Sequence, residues 1–333
     1  MQAPLSYAAL DPLVVLQALD AVGLHGDGRL LQLNSYENRV FQAYLDDGSA
    51  VVVKFYRPAR WSDEQIVEEH DFAREIADAG VPVVAPRTLH AAQPGISFSG
   101  AAATLAHWTH EGEAWRYAVS DRHGGRAPEL EDPAVLQWLG RFLGRLHAVG
   151  RQGRFVHRRT LDVATFGWRA RERVLRDADP DTLGAWPSVC ETALGLAEQT
   201  FAATAAPQRR LHGDCHPGNI LWRDEGPHVV DLDDAVTGPP VQDLWMLVSG
   251  DRDTLARQLD ALLAGYRLFM PFDERQLALI EPLRTLRMVH HSAWIAERWS
   301  DPAFPAAFPW FGTPAYWQQQ TMQLREQIEL MTS

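Results

Sequence analysis

The most constraining stretch of the chain is His212-Gly213-Asp214-Cys215-His216-Pro217-Gly218-Asn219, taken with the residues up to Asp234. Gly213, Pro217 and Gly218 break regular structure, so the stretch reads as a polar loop. ILW and HVV beyond it are short β-rich runs, and RDEGP between them is turn chemistry. The loop therefore feeds a hairpin whose second strand ends in Val230-Asp231-Leu232-Asp233-Asp234. Asp214 and Asn219 lie five residues apart, and Asp231 comes twelve after Asn219. A strand-ending carboxylate beside a loop amide offers hard oxygen ligands to a small divalent cation. Mg²⁺ needs only one or two protein carboxylates when phosphate oxygens complete its shell.

The rest of the chain is strand-rich first and helix-rich later. Residues 10–23 read as a short amphipathic helix ending at Gly23, followed by a strand at 28–33. Arg39–Leu45 and Ala50–Tyr56 form a hairpin around Asp46-Asp47-Gly48. Residues 63–79 read as a helix. Ser62 caps it, Gln65 completes a capping box, and Gly80 and Pro82 end it. Ile66, Glu69, Ala73 and Ile76 share one face of that helix, while Gln65, Glu68 and Glu75 share a solvated one. Glu69 is thus a carboxylate on an apolar stripe and needs a partner if buried. Residues 96–106 look like further sheet, and a polar, aromatic stretch follows at 107–116. From Pro133 on, apolar residues at helical spacing dominate, with helices at about 180–204, 252–270, 274–298 and 315–331. The Phe/Pro/Trp-rich segment 300–312 reads as irregular.

Composition limits the function classes. With 333 residues, 46% of them hydrophobic, the chain can build about two cored domains. A formal net charge of −12 excludes a broad nucleic-acid-binding face. Two cysteines, Cys190 and Cys215, make no disulfide framework. The N-terminus lacks a basic leader pattern and no long uncharged apolar run is present, so a cytoplasmic protein with no membrane partner is expected. Of the 31 basic residues, 30 are Arg and one is Lys, Lys54. Arg replaces Lys freely on a surface but not where a compact ammonium is required. The one retained Lys therefore marks a position, near the end of the third strand.

Asp214 and Asn219 have the spacing of the kinase catalytic loop, H-x-D-x-x-x-x-N, in which the Asp accepts the proton of the attacking hydroxyl. VVVKFY resembles the strand whose Lys grips nucleotide phosphates and pairs with a helix Glu. Together with LGRFLGRLH ending at His147, and Asp243 in GPPVQDLW, these motifs resemble the aminoglycoside-phosphotransferase branch of the protein-kinase-like superfamily, which writes its loop H-G-D-x-x-x-x-N. NSYENRV, VVVKFYRP-ARW, EEH, HGDCHPGNILWRD, VDLDDAVTGPPVQDLWML, EPLRTLRMV and DPAFPAAFPW extend the likeness over roughly residues 30–320, toward bacterial serine/threonine protein kinases of that branch.

The resemblance implies an α+β, two-lobed protein-kinase-like fold. Residues 1–107 would be a small β-rich lobe with one key helix, and 108–333 a large, mainly helical lobe. It implies ATP and Mg²⁺ as cofactors and phosphorylation of Ser or Thr of protein substrates; a monomer is expected. Asp214 would be the catalytic base, and Asn219 and Asp231 the metal ligands, Asp231 also being catalytic. Ser35, Lys54 and Glu69 would serve the nucleotide, with Glu69 orienting Lys54. The base would lie near residues 105–110, and His212 and Asp243 would hold the catalytic loop. The sequence departs from the protein-kinase pattern where a glycine-rich loop should stand and has Asn34-Ser35-Tyr36-Glu37-Asn38 instead.

Three other readings compete. Only 11 residues separate Asp231 from Asp243, a brevity shared with small-molecule phosphotransferases, and an acidic mouth built from Asp233, Asp234 and the charged 111–132 loop would suit a cationic amino-sugar. His212, Asp214 and His216 resemble half of a metallophosphoesterase site, but its companion motifs are missing. A nucleotide-binding pseudokinase scaffold is opposed by the presence of Lys54, Asp214, Asn219 and Asp231 together.

Overall fold

The computed structural model describes Tyr7 and residues 10–332. Residues 1–6 and 8–9, part of the stretch searched for a leader, lie outside it, as does Ser333. The chain forms two compact units. One contains the residues up to Glu129 together with Val156–Arg158 and Pro217–Asp234. The other contains Leu130–Phe155, Arg159–His216 and the residues from Ala235 on.

The first unit carries α1 (Pro12–Ala21), β1 (Gly26–Leu33), β2 (Arg39–Leu45), β3 (Ala50–Phe55), α2 (Asp63–Asp78), β4 (Ile96–Ser99), β5 (Leu105–His110) and β6 (Glu113–Asp121). Among the described residues its main sheet has six strands in the order β1-β2-β3-β6-β5-β4, with antiparallel neighbours. Asp11 caps α1 by accepting from Val14 N, and Pro12 takes the first helical position, where its missing N–H costs nothing. The Ser62–Gln65 capping box forms as expected and starts α2. Strand alternation buries Phe41, Ala43, Val51, Val53, Tyr117 and Val119, and α1 adds Val15, Ala18 and Leu19 to the same core. The polar, aromatic stretch 107–116 belongs to the sheet. Trp108 and Trp115 are cross-strand partners and both are buried, so the sheet runs past residue 107 to Asp121. The hairpin Ile220–Arg223/Gly226–Val229 joins this unit, and Val229 accepts from Val84 N and donates to Pro82 O.

The second unit is mainly helical: α3 (Pro133–Gly150), α4 (Arg169–Asp177), α5 (Pro180–Leu183), α6 (Trp186–Thr204), α7 (Val241–Trp245), α8 (Arg252–Tyr266), α9 (Ile280–Glu297), α10 (Ala303–Ala307) and α11 (Pro314–Thr332). The helix expected over 180–204 is broken at Gly184, whose φ of +55° lies outside the helical region. The segment 300–312 contains α10, and Phe304 and Phe311 pack into the core with Trp186, Trp317 and Leu324. A pairing of Arg209–Leu211 with Val236–Gly238 frames the loop that carries Asp214.

Candidate active site

In the first unit a cavity of about 390 Å³ opens against the sheet. Leu33, Val40, Val52, Val84, Ala118, Leu221 and Val230 give it an apolar wall. Ser35, Lys54, Asn219 and Asp231 give it a polar end. A pocket with one apolar face and a few convergent polar groups suits a heteroaromatic ring attached to a charged tail. Residues 105–110, expected to border the base, form β5 and do not line the cavity. Ala118–Asp121 and His123 do, because β6 lies beside β3 whereas β5 is one strand further out. The Asn34–Asn38 loop closes one side. Ser35 Oγ accepts from Asn38 N at 3.2 Å, giving a turn without the glycines of a glycine-rich loop.

The Ile220–Val229 pairing of the hairpin brings Asn219 beside Val230, whose N donates to Asn219 O at 3.0 Å, and so delivers Asn219 and Asp231 to one cavity. Asp231 has φ +62°, a costly conformation for a residue with a Cβ and one that clusters at functional sites. Lys54, held by β3 opposite Val40 and Ala118, places Nζ 3.2 Å from Asp231 Oδ1 and 3.1 Å from Asp233 Oδ1. Burial alone would lower the Lys54 pKa. The Asp233 and Asp231 carboxylates outweigh it and hold the ammonium charged, well above its ordinary range.

The Lys54 ion pairs thus run to Asp231 and Asp233, not to Glu69, which shares its field without an ion-pair contact. Asp233, read from sequence as part of an acidic mouth, is instead buried. Arg60 Nη1 and Asn38 Nδ2 both reach its Oδ2, and Arg158 donates to its backbone carbonyl. Burial raises its pKa, but Arg60, Lys54 and Arg158 more than reverse this and keep it ionised. Asp234 pairs with Arg60 at 2.8 Å. The two acids therefore serve internal cations. Glu68, expected on a solvated face, accepts from the backbone N–H groups of Val156, His157 and Arg158, which fixes that segment against α2.

Glu69 sits on the buried face of α2, 3.7 Å from His70 Nε2. Burial pushes its carboxyl up to about 7 from an ordinary 4.5, against the pull of Lys54. The folded state then keeps a proton that the unfolded chain releases above about pH 4.5. Its contribution to stability is complete below that pH and is lost as pH rises through about 7. Glu69→Gln should gain up to about 3 kcal/mol over the wild type between pH 5 and pH 8. Urea unfolding at three pH values checks this, and parallel profiles would refute it.

In the second unit, Asp243 anchors the loop that carries Asp214. It accepts from His212 N at 2.9 Å and Gly213 N at 2.8 Å, and lies 2.9 Å from His147 Nε2. The other nitrogen of His147 meets the Tyr266 hydroxyl at 2.9 Å. Burial opposes the Asp243 charge, but the His147 hydrogen bond, His212 and the Gly213 N–H outweigh it and lower its pKa. Gly213 turns the chain at φ +85°, and its carbonyl accepts from Gln242 Nε2. Asp214 comes next, with Oδ1 2.5 Å from Arg287 Nη1 and Oδ2 3.5 Å from His216 Nε2. It lies three residues before the chain enters the first unit at Pro217. Among the described residues no group of three or more His, Cys, Asp or Glu side chains is arranged to hold a metal ion. A metal site here would rest on Asn219, Asp231 and phosphate.

The phosphotransferase enzyme family profile matches residues 29–280, more than half of the chain. The chain belongs to the phosphotransferase enzyme family. Stress response kinase A of Escherichia coli (strain K12) is 42% identical over 333 residues, 98% of this chain and 95% of that protein. Serine/threonine protein kinase RdoA of Salmonella typhimurium is 41% identical over 329 residues, with the same shares covered. This phosphotransferase is accordingly a kinase. Among solved structures, an amicoumacin kinase in complex with AMP-PNP, Ca²⁺ and Ami matches with TM-score 0.69 at 19% identity, covering 96% of this chain and 93% of that one. A microcompartment-associated aminopropanol kinase matches with TM-score 0.69 at 17% identity, covering 96% and 98%. These two establish the α+β, protein-kinase-like fold alone. No helix among the described residues is long and apolar enough to cross a membrane.

Sequence reasoning missed Arg60 and Arg158 as partners of Asp233, and Arg287 as the partner of Asp214. Arg60 and Arg287 lie within motifs that carried the resemblance, YRP-ARW and EPLRTLRMV, but nothing local distinguishes them from the other arginines.

Proposed function

We propose that this phosphotransferase transfers the γ-phosphate of ATP, with Mg²⁺, to Ser or Thr hydroxyls of protein substrates in a cytoplasmic stress response, acting as a monomer. The observation that carries the nucleotide reading is the sole lysine, held charged at the polar end of the cavity between Asp231 and Asp233. Lys54 binds phosphate oxygens, Asp233 keeps its ammonium in place, and Ser35 and the backbone of its loop cover the phosphates. The Val40, Val52, Ala118 and Leu221 wall takes the base. Asn219 and Asp231 hold the metal, and the solvent-exposed carboxylate of Asp231 at φ +62° suits that duty. Mg²⁺ when bound neutralises charge on the phosphates and aligns them. Asp214 accepts the proton of the incoming hydroxyl, and Asp243 holds its loop without reacting. Glu69 acts on Lys54 through the field of the cluster. The protein acceptor is supported by 41–42% identity to stress response and serine/threonine protein kinases over 98% of the chain.

Incubation with γ-labelled ATP and a panel of a generic protein acceptor, amino-sugars and amino-alcohols tests this. Label on protein is expected. Label on a small acceptor alone would replace this reading with a small-molecule kinase.

A further inference from the structure

Arg287 projects from α9 and has its guanidinium 2.5 Å from Oδ1 of Asp214, the carboxylate proposed above as the base. Its side chain is 47% exposed, and its guanidinium also lies 3.9 Å from Met246 Sδ. The neighbouring Arg284 is differently placed. Both oxygens of Glu281 bind it, at 3.0 and 3.1 Å, and it stands over the Trp245 ring. Arg287 is therefore the α9 arginine whose counter-charge is the base itself.

That pairing has two chemical consequences. The guanidinium occupies a carboxylate oxygen that an acceptor hydroxyl would otherwise approach. During transfer the acceptor Oγ–P bond forms, the bond from the γ-phosphorus to its bridging oxygen breaks, and ADP leaves with that electron pair. The hydroxyl proton passes to Asp214, which becomes neutral, and Arg287 is left without its anion. An acceptor carrying its own negative charge removes both difficulties, because it draws the guanidinium off the base and replaces the lost counter-charge. A cationic amino-sugar would do the opposite. A chain of net charge −12 repels anionic substrates at long range, so recognition of one needs a local cation such as this.

We propose that Arg287 is a specificity-determining residue that selects Ser or Thr acceptors flanked by acidic side chains. This rests on the protein-acceptor reading of the proposed function. Two peptides test it, identical except that the residues flanking the serine are Asp in one and Asn in the other. They are assayed beside an amino-sugar with wild type, Arg287→Gln and Arg287→Lys. A charge-assisted contact should favour the Asp peptide in kcat/KM by about 10- to 100-fold in the wild type, mostly through KM. The ratio should fall to about 1 in Arg287→Gln and recover in part in Arg287→Lys. A merely structural role would depress both peptides alike and leave the ratio intact. Equal use of both peptides by the wild type, or a ratio that survives Arg287→Gln, overturns the inference alone. Transfer only to the amino-sugar overturns the protein-acceptor reading and this inference with it.

Discussion

Asp214→Asn is expected to lower kcat by about a thousandfold while leaving the dissociation constant for ATP within a small factor of wild type. The asparagine carbonyl can still accept from Arg287, and the anchoring of His212 and Gly213 by Asp243 does not involve the Asp214 side chain. The loop should therefore keep its shape. What disappears is a basic oxygen able to take the acceptor proton. Initial rates and equilibrium nucleotide binding, measured on the same preparation, separate the two effects. Near wild-type turnover in the variant would remove Asp214 from the mechanism.

Lys54→Arg is expected to reduce kcat/KM for ATP by a hundredfold or more although the charge is retained. The Lys54 ammonium sits between two carboxylate oxygens at 3.1 and 3.2 Å, with the Tyr56 ring 5.3 Å away. A planar guanidinium carries its charge over a larger fork and cannot occupy that gap as a point. Asp233 already binds the Arg60 guanidinium, and Arg158 reaches its main-chain carbonyl, so a third guanidinium meets a crowded carboxylate. The loss should appear mainly in KM for the nucleotide. A variant with wild-type kcat/KM would show that the retained lysine carries no chemical requirement.

Much of this architecture is legible in the sequence because the signals are local. The Ser62–Gln65 box and Gly80 mark α2 at both ends, and Asp46-Asp47-Gly48 sets the β2–β3 hairpin. The loop and hairpin of residues 212–231 declare themselves through Gly, Pro and Asp. Other features depend on partners distant in sequence. Asp233 looks like one more acid in a run of three. Only the approach of Arg60, 173 residues away, and Arg158, 75 residues away, makes it the buried counter-ion of Lys54. Glu69 invites pairing with Lys54 because it is the carboxylate on the apolar face of α2. Helical phase places a residue on a face but does not set the distance to a side chain on another element. The sheet reads as ending at residue 106 because the polar and aromatic residues of 107–116 mask the alternation. The contact of Arg287 with Asp214 has no sequence signature at all.

The central claim is that the cavity at Lys54 binds nucleotide through a metal held by Asn219 and Asp231. Titration calorimetry with a non-hydrolysable ATP analogue, with and without Mg²⁺, tests it on wild type and Asp231→Asn. Mg²⁺ should tighten binding to the wild type by at least about tenfold and do little for the variant, since removing a carboxylate ligand of a hard divalent cation weakens its hold. Equal tightening by Mg²⁺ in both proteins, or no effect of Mg²⁺ in either, would contradict the account.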